Sequence, residues 1–166
     1  MNPLVNGVVI NRDVALGRNR FKEVFRGFEN VAAVRSIFGT NTDDVLSDLH
    51  VEVEDGRGYM RINDREGSVM VSAKYLKEGD ETHLYLDVVH ELVHIRQHME
   101  GRELWDRRYA YVDRPTEVEA YKVVLDEAKR IGLQKSEIVD YLKVDWVTEE
   151  EFLRLLTTLG VKSRTP

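Results

Sequence analysis

Between residues 73 and 82 the apolar residues of this chain change period, and that switch limits the folds open to it. Leu49, Val51 and Val53 alternate with His50, Glu52 and Glu54, the pattern of a strand with one wet face. Asp55-Gly56-Arg57-Gly58 turns the chain into a second run, 59–63, and Asn63-Asp64-Arg65-Glu66-Gly67 turns it into a third, 68–72. After about Thr82 the spacing is three and four: Tyr85, Val88, Val89, Leu92, Ile95 and Met99 form one stripe. Strands gathered ahead of helices predict an α+β fold, with the strands joined as a small antiparallel meander.

The flanking segments extend this pattern. Residues 1–18 read as an extended arm or edge strand. Phe21, Val24, Phe25, Phe28, Val31 and Ala32 then predict a helix from about Asn19, weakened by Gly27 and stopped at Gly39. Thr82 is the expected cap of the long second-half helix and Gly101 its end. A polar, aromatic-rich connector runs over 102–114. Pro115 suits the start of a helix over about 116–131, closed by Gly132. Ser136 opens a short helix, and Thr148-Glu149-Glu150-Glu151 is a capping box opening another before Gly160. The chain of 166 residues is expected to bury one core, with about 133–166 as a helical appendage packed on a single domain.

Composition narrows the chemistry. A net charge of −6 argues against a dedicated nucleic-acid partner. No apolar run reaches the length of a membrane span or signal segment, which predicts a cytoplasmic protein without a membrane partner. Cysteine is absent, so any metal must be held by nitrogen and oxygen donors.

Such donors stand at His90-Glu91-Leu92-Val93-His94. Residues four apart on a helix lie one above the other, so the two imidazoles can reach one ion from one face. Glu91 is turned about 100° from His90, beside the position of a metal-bound water. Two neutral nitrogens, a Lewis acid and a base make the constellation of a zinc hydrolase. Leu92 and Val93 flank the back of the helix, which turns the histidines toward a cleft. His98 lies about 12 Å from His90 along the axis and cannot share the ion, so it is expected to face solvent. His83 is expected on the same side, at the cleft or the surface, and His50 on the polar face of a strand.

Catalytic zinc needs a third protein ligand. On the helix after Pro115, Glu117 shares a face with Ala120, Tyr121, Val124, Ala128 and Ile131, whereas Glu119 shares one with Lys122, Asp126 and Arg130. A carboxylate on the apolar stripe needs a partner, and a metal is one. Glu117 is therefore favoured over Glu119, with Glu103, Asp106 and Asp113 of the connector behind it.

The HELVH segment followed by Pro115-Thr116-Glu117-Val118-Glu119-Ala120 resembles the gluzincin branch of zinc metallopeptidases, over roughly residues 19–131. The resemblance implies a zincin-like fold: an N-terminal helix and small antiparallel sheet, then the HExxH helix, a glutamate-bearing helix and C-terminal helices. It implies one zinc per chain on His90, His94 and Glu117, and hydrolysis of peptide bonds through a zinc-activated water with Glu91 as general base. Where several relatives have Asp four residues after the glutamate, this chain has Tyr121. That leaves Asp87 as a candidate partner for a zinc histidine. The third histidine of the metzincins is absent, its position being Glu100. Tyr109, Tyr111, Tyr121, His83 and Arg114 are able to stabilise an oxyanion, and strand 68–72 could bind an extended peptide at its edge.

Two other functions compete with a peptidase acting on a peptide or protein substrate. One is a zincin-fold regulatory or binding module that keeps zinc and has little protease activity. The other is a helical interaction protein with a fortuitous motif, for which Phe152, Leu153, Leu155, Leu156 and Leu159 would form the contact face.

Overall fold

The computed structural model describes residues 7–162; residues 1–6 of the expected arm or edge strand over 1–18, and the last residues of the appendage, 163–166, lie outside them. The chain runs β1 (Val9–Ile10), β2 (Gly17–Arg20), α1 (Phe21–Val24), β3 (Phe25–Arg26), α2 (Ala32–Phe38) and α3 (Thr42–Asp48). It continues with β4 (His50–Glu54), β5 (Met60–Asn63), β6 (Ser68–Ser72), α4 (Ala73–Glu78) and α5 (Glu81–Met99). The last helices are α6 (Pro115–Arg130), α7 (Lys135–Leu142) and α8 (Glu149–Leu159). The class is α+β, as the change of period predicts.

The continuous helix expected from Asn19 to Gly39 does not form. At Gly27 the backbone is left-handed, at φ 83°, and a Cβ there would lie 1.9 Å from the Gly7 carbonyl oxygen. The chain instead folds back, so that β3 pairs with β1 through Val9↔Arg26 and Ile10↔Phe25. The apolar spacing is still satisfied by burial. Phe21, Phe25 and Phe28 are fully enclosed, with ring centroids 5.4 to 6.1 Å apart. Phe28 also stacks on Tyr85 of α5 at 5.4 Å, which ties this segment to the long helix.

The main sheet is mixed, not an antiparallel meander. Its order is β2-β4-β6-β5, with β4 parallel to β6 and the other pairs antiparallel. Burial explains the order. In β6, Ser68, Val69, Val71 and Ser72 are all buried, so the strand belongs in the centre of the sheet. In β5 only Ile62 is buried and Arg61 is exposed, which suits an edge. Strand 68–72, expected to offer an edge to a peptide, is therefore paired on both sides; the open edge on that side is β5.

Helix α5 crosses the centre of the molecule, packed against α6, α2 and β5. Its cap is Asp80, whose side chain accepts from the His83 N–H, and not Thr82. The capping box at Thr148 and Glu151 and the left-handed Gly160 bound α8 as expected. Ile138, Tyr141 and Leu142 of α7 and Phe152, Leu155 and Leu156 of α8 join the same buried cluster as the sheet and α5. Each such side chain withdrawn from water contributes about 1.5–3 kcal/mol before the entropy of ordering is counted. Among the described residues no helix is long and apolar enough to cross a membrane.

Candidate metal centre

Three side chains from two helices converge on one point. His90 and His94 are one turn apart on α5 and their Nε2 atoms are 3.1 Å apart. Glu117, in the first turn of α6, brings Oε2 to 3.0 Å from His90 Nε2 and Oε1 to 3.1 Å from His94 Nε2. Each of the three residues is only 5% exposed. Among the described residues this is the group of His, Cys, Asp or Glu side chains arranged to hold an ion. Donors about 2.0–2.1 Å from a tetrahedral ion stand roughly 3.3–3.4 Å apart, so the observed separations need to open by only a few tenths of an ångström. Two imidazoles and one carboxylate, with no thiolate, fit zinc or another borderline divalent ion.

The protonation pattern points the same way. Burial disfavours charge on His94, but the hydrogen bond and negative charge of Glu117 outweigh it and push the ring up to about 9. Burial likewise raises the Glu117 carboxyl, and hydrogen bonds from His90 and His94 overcome it, leaving the group well below the usual carboxylate range. Three lone-pair groups this close need a cation among them, a proton or a metal ion. Glu117 also lies at the positive end of α6, which favours the anion.

Outer contacts orient the ligands. Gln97 Nε2 donates to the Thr116 carbonyl at 3.1 Å, so its Oε1 is turned to accept from His94 Nδ1 at 2.7 Å. Asp87 does not fill the role considered for it. Its carboxylate accepts hydrogen bonds from Tyr141, at 2.6 Å, and from Tyr75. It has no hydrogen bond to either histidine. His90 packs instead in a T-shaped arrangement with the Tyr121 ring, 4.6 Å between centroids, and its buried Nδ1 has no protein partner among the described residues.

Glu91 is buried on the same helix and lines both lobes of a cleft that reaches the three ligands. Desolvation pushes its carboxyl well up; Glu117 and Asp87 add to this and His94 opposes it. The first lobe, about 180 Å³, is walled by tyrosines 59, 75, 111, 121 and 141. The second, about 440 Å³, lies between β5, the connector and Trp146. The histidines therefore do face a cleft, although α5 is buried around much of its circumference.

The remaining candidates fall elsewhere. Glu119 bridges Arg96, at 2.5 Å, and Arg102, at 2.8 Å, and stands apart from the cluster. In the connector, Asp106 pairs with Arg108 and Asp113 with Arg154, and neither joins the cluster, nor does Glu103. His98, expected to face solvent, is half-buried: its ring lies over Gly67, where a Cβ would come within 2.9 Å of it. His83 lines the first lobe against Tyr141, and His50 lies 3.3 Å from Arg18. Tyr109 is exposed and lines neither lobe, whereas Tyr111 lines both.

Gln97 and the wall residues Tyr75, Tyr141 and Trp146 are not among the residues that the motif and its spacing single out. Gln97 could have been found, since it lies one turn after His94 on the same face. Tyr141 and Trp146 reach the site only through the docking of α7, which no local spacing announces. Comparison of the chain with protein-family models, with curated proteins and with solved structures gives no match.

Proposed function

We propose that this chain is a gluzincin-type zinc metallopeptidase with a zincin-like arrangement of strands and helices. The observation that carries this reading is the convergence of His90, His94 and Glu117 beside Glu91, at the meeting of two lobes of one cleft. His90 Nε2, His94 Nε2 and the Glu117 carboxylate would hold one zinc ion. When bound, the ion supplies Lewis-acid polarisation and a water acidic enough to lose its proton near neutral pH. The chain's own groups do the rest. Glu91, with no hydrogen-bond partner of its own among the described residues, is free to take a proton from the attacking water and return it to the departing amine. Tyr111, whose hydroxyl lies 2.9 Å from that of Tyr121, is a donor for the oxygen that gains charge at the attacked carbonyl. The open edge of β5 would carry an extended peptide across the site by adding a strand.

The test compares wild type with Glu91→Gln, both loaded with zinc, on a peptide library read by mass spectrometry. Cleavage is expected from wild type and a loss of at least about 100-fold from the variant. Zinc counted by elemental analysis should stay near one per chain in both. A zinc-loaded wild type that cleaves nothing would favour the binding module, and loss of zinc from the variant would reassign Glu91 as a structural ligand.

A further inference from the structure

The two lobes of the cleft differ in charge, the tyrosine-walled one being the more acidic. The tyrosine-walled lobe holds Asp87, Asp140 and Asp145 against Lys143. The other is walled by Ile62, Leu104, Trp105 and Trp146; its acids, Glu91 and Glu117, lie at the histidine end, and away from them it carries Arg114. The Arg114 guanidinium carbon lies 5.9 Å from the centres of both the Trp105 and the Tyr111 rings. Its Nε donates to the Asp106 carbonyl at 3.3 Å, while among the described residues its Nη groups have no hydrogen-bond partner and no carboxylate lies within ion-pair distance. Arg61, the other guanidinium on this wall, is already bound to Glu54 at 3.1 Å. Arg114 caps α6 three residues before Glu117, so the turn that sets the third ligand also sets this cation.

A half-buried guanidinium, clamped by two rings and facing an apolar cavity with free N–H donors, is preorganised for a planar anion. Its aromatic neighbours fix the fork but accept none of its in-plane hydrogen bonds. We propose that this lobe takes a carboxylate of the substrate together with a neighbouring apolar group, and that the Nη groups of Arg114 bind that carboxylate. The assignment of the substrate as a peptide rests on the peptidase reading. The carboxylate is then either the chain terminus or an acidic side chain, and both offer the same two oxygens.

Binding is measured by calorimetry on zinc-loaded Glu91→Gln protein, which avoids turnover. The probes are one apolar peptide as its free acid, the same peptide as its C-terminal amide, and the amide with one glutamine replaced by glutamate. The acid or the glutamate peptide should bind at least about tenfold more tightly than the neutral amide; the arm that gains identifies the source of the carboxylate. Adding Arg114→Gln should abolish the preference, and Arg114→Lys, which keeps the charge and loses the fork, should keep a smaller one. Zinc content checks that each variant retains the site, and the lysine variant decides the matter should the glutamine variant lose zinc. Equal binding of the three peptides, no binding of any, or a preference unchanged in the Arg114 variants would overturn the inference. Library cleavage by wild type separates the two readings. Cleavage without carboxylate preference removes this inference alone, and preference without cleavage removes the peptidase reading.

Discussion

His94 Nδ1 lies 2.7 Å from Gln97 Oε1, and this contact decides which nitrogen of the ring faces Glu117. The amide cannot turn round, because its Nε2 is held by the Thr116 carbonyl, which only accepts. Nδ1 must therefore carry a proton, leaving Nε2 as the lone-pair nitrogen of the neutral ring. The same amide ties α5 to the start of α6, so ligand orientation and helix packing are one feature.

Gln97→Met should expose that dependence. The substitution keeps volume in a position with no solvent exposure but removes both hydrogen bonds. Zinc affinity should fall about 10–100-fold, the usual effect of losing an outer partner of a ligating histidine. The buried His94 Nδ1–H, left without its acceptor, should cost about 1–3 kcal/mol of stability. Competition with a chromogenic chelator reads the first and urea unfolding the second; unchanged zinc affinity would show that packing alone orients His94.

The helices that carry His90, His94 and Glu117 were legible in the sequence because their signals are local. A four-residue step sets both histidines on one face, and the apolar stripe of α6 distinguishes Glu117 from Glu119. The sheet order was not legible, since nothing in a tight turn says which side of β4 the next strand joins. The unbroken apolar run Val69-Met70-Val71 was the available clue to the central strand that it forms. The N-terminal helix failed for the reverse reason. Its spacing of three and four is real, but Gly27 supplies a backbone conformation that ends the helix and admits the Gly7 carbonyl. Tyr141 and Trp146 reach the cleft through long-range packing, which no window of sequence contains.

Gly27 and Gly160 separate conformation from contact. Both are left-handed, at φ 83° and 70°, but a Cβ at Gly160 would meet nothing within 4 Å. Gly160→Ala should cost about 1 kcal/mol, the conformational penalty alone. Gly27→Ala adds a collision with backbone and should cost well beyond 2 kcal/mol, or prevent β1 from pairing with β3. Thermal and urea unfolding of the two variants give the comparison, and equal costs would mean that the Gly7 segment is displaced freely.

Glu117 and Glu119 are two residues apart and should behave oppositely. Glu117→Ala removes an atom set within 3.1 Å of both histidines, and its zinc affinity should fall by more than the 10–100-fold expected for an outer partner. Glu119→Ala breaks half-exposed pairs with Arg96 and Arg102, should retain zinc, and should cost no more than about 1 kcal/mol. Dialysis against a mild chelator followed by elemental analysis decides between them. Zinc retained by both variants would remove Glu117 from the site.

Asp87 should give the metal-free protein a pH dependence of identifiable sign. Burial pushes its carboxyl up, and the hydrogen bonds from Tyr141 and Tyr75 to its charged form recover only part of that. The folded chain therefore holds this proton to a higher pH than the unfolded chain, whose aspartates titrate near 3.9. Between the two values the folded state binds more protons, so stability falls as pH rises. The contribution of Asp87 is complete below the unfolded value and is lost as the pH passes through the raised folded value. Asp87→Asn cannot ionise, and an amide oxygen still accepts from one tyrosine while the other hydroxyl can turn to accept from the NH2 group. Urea unfolding over a range of pH, in the presence of chelator, should show Asp87→Asn gaining on wild type as the pH rises above about 4. A difference that stays constant over this range, or moves the other way, would show that the two tyrosine hydroxyls fully compensate for the burial of the charge.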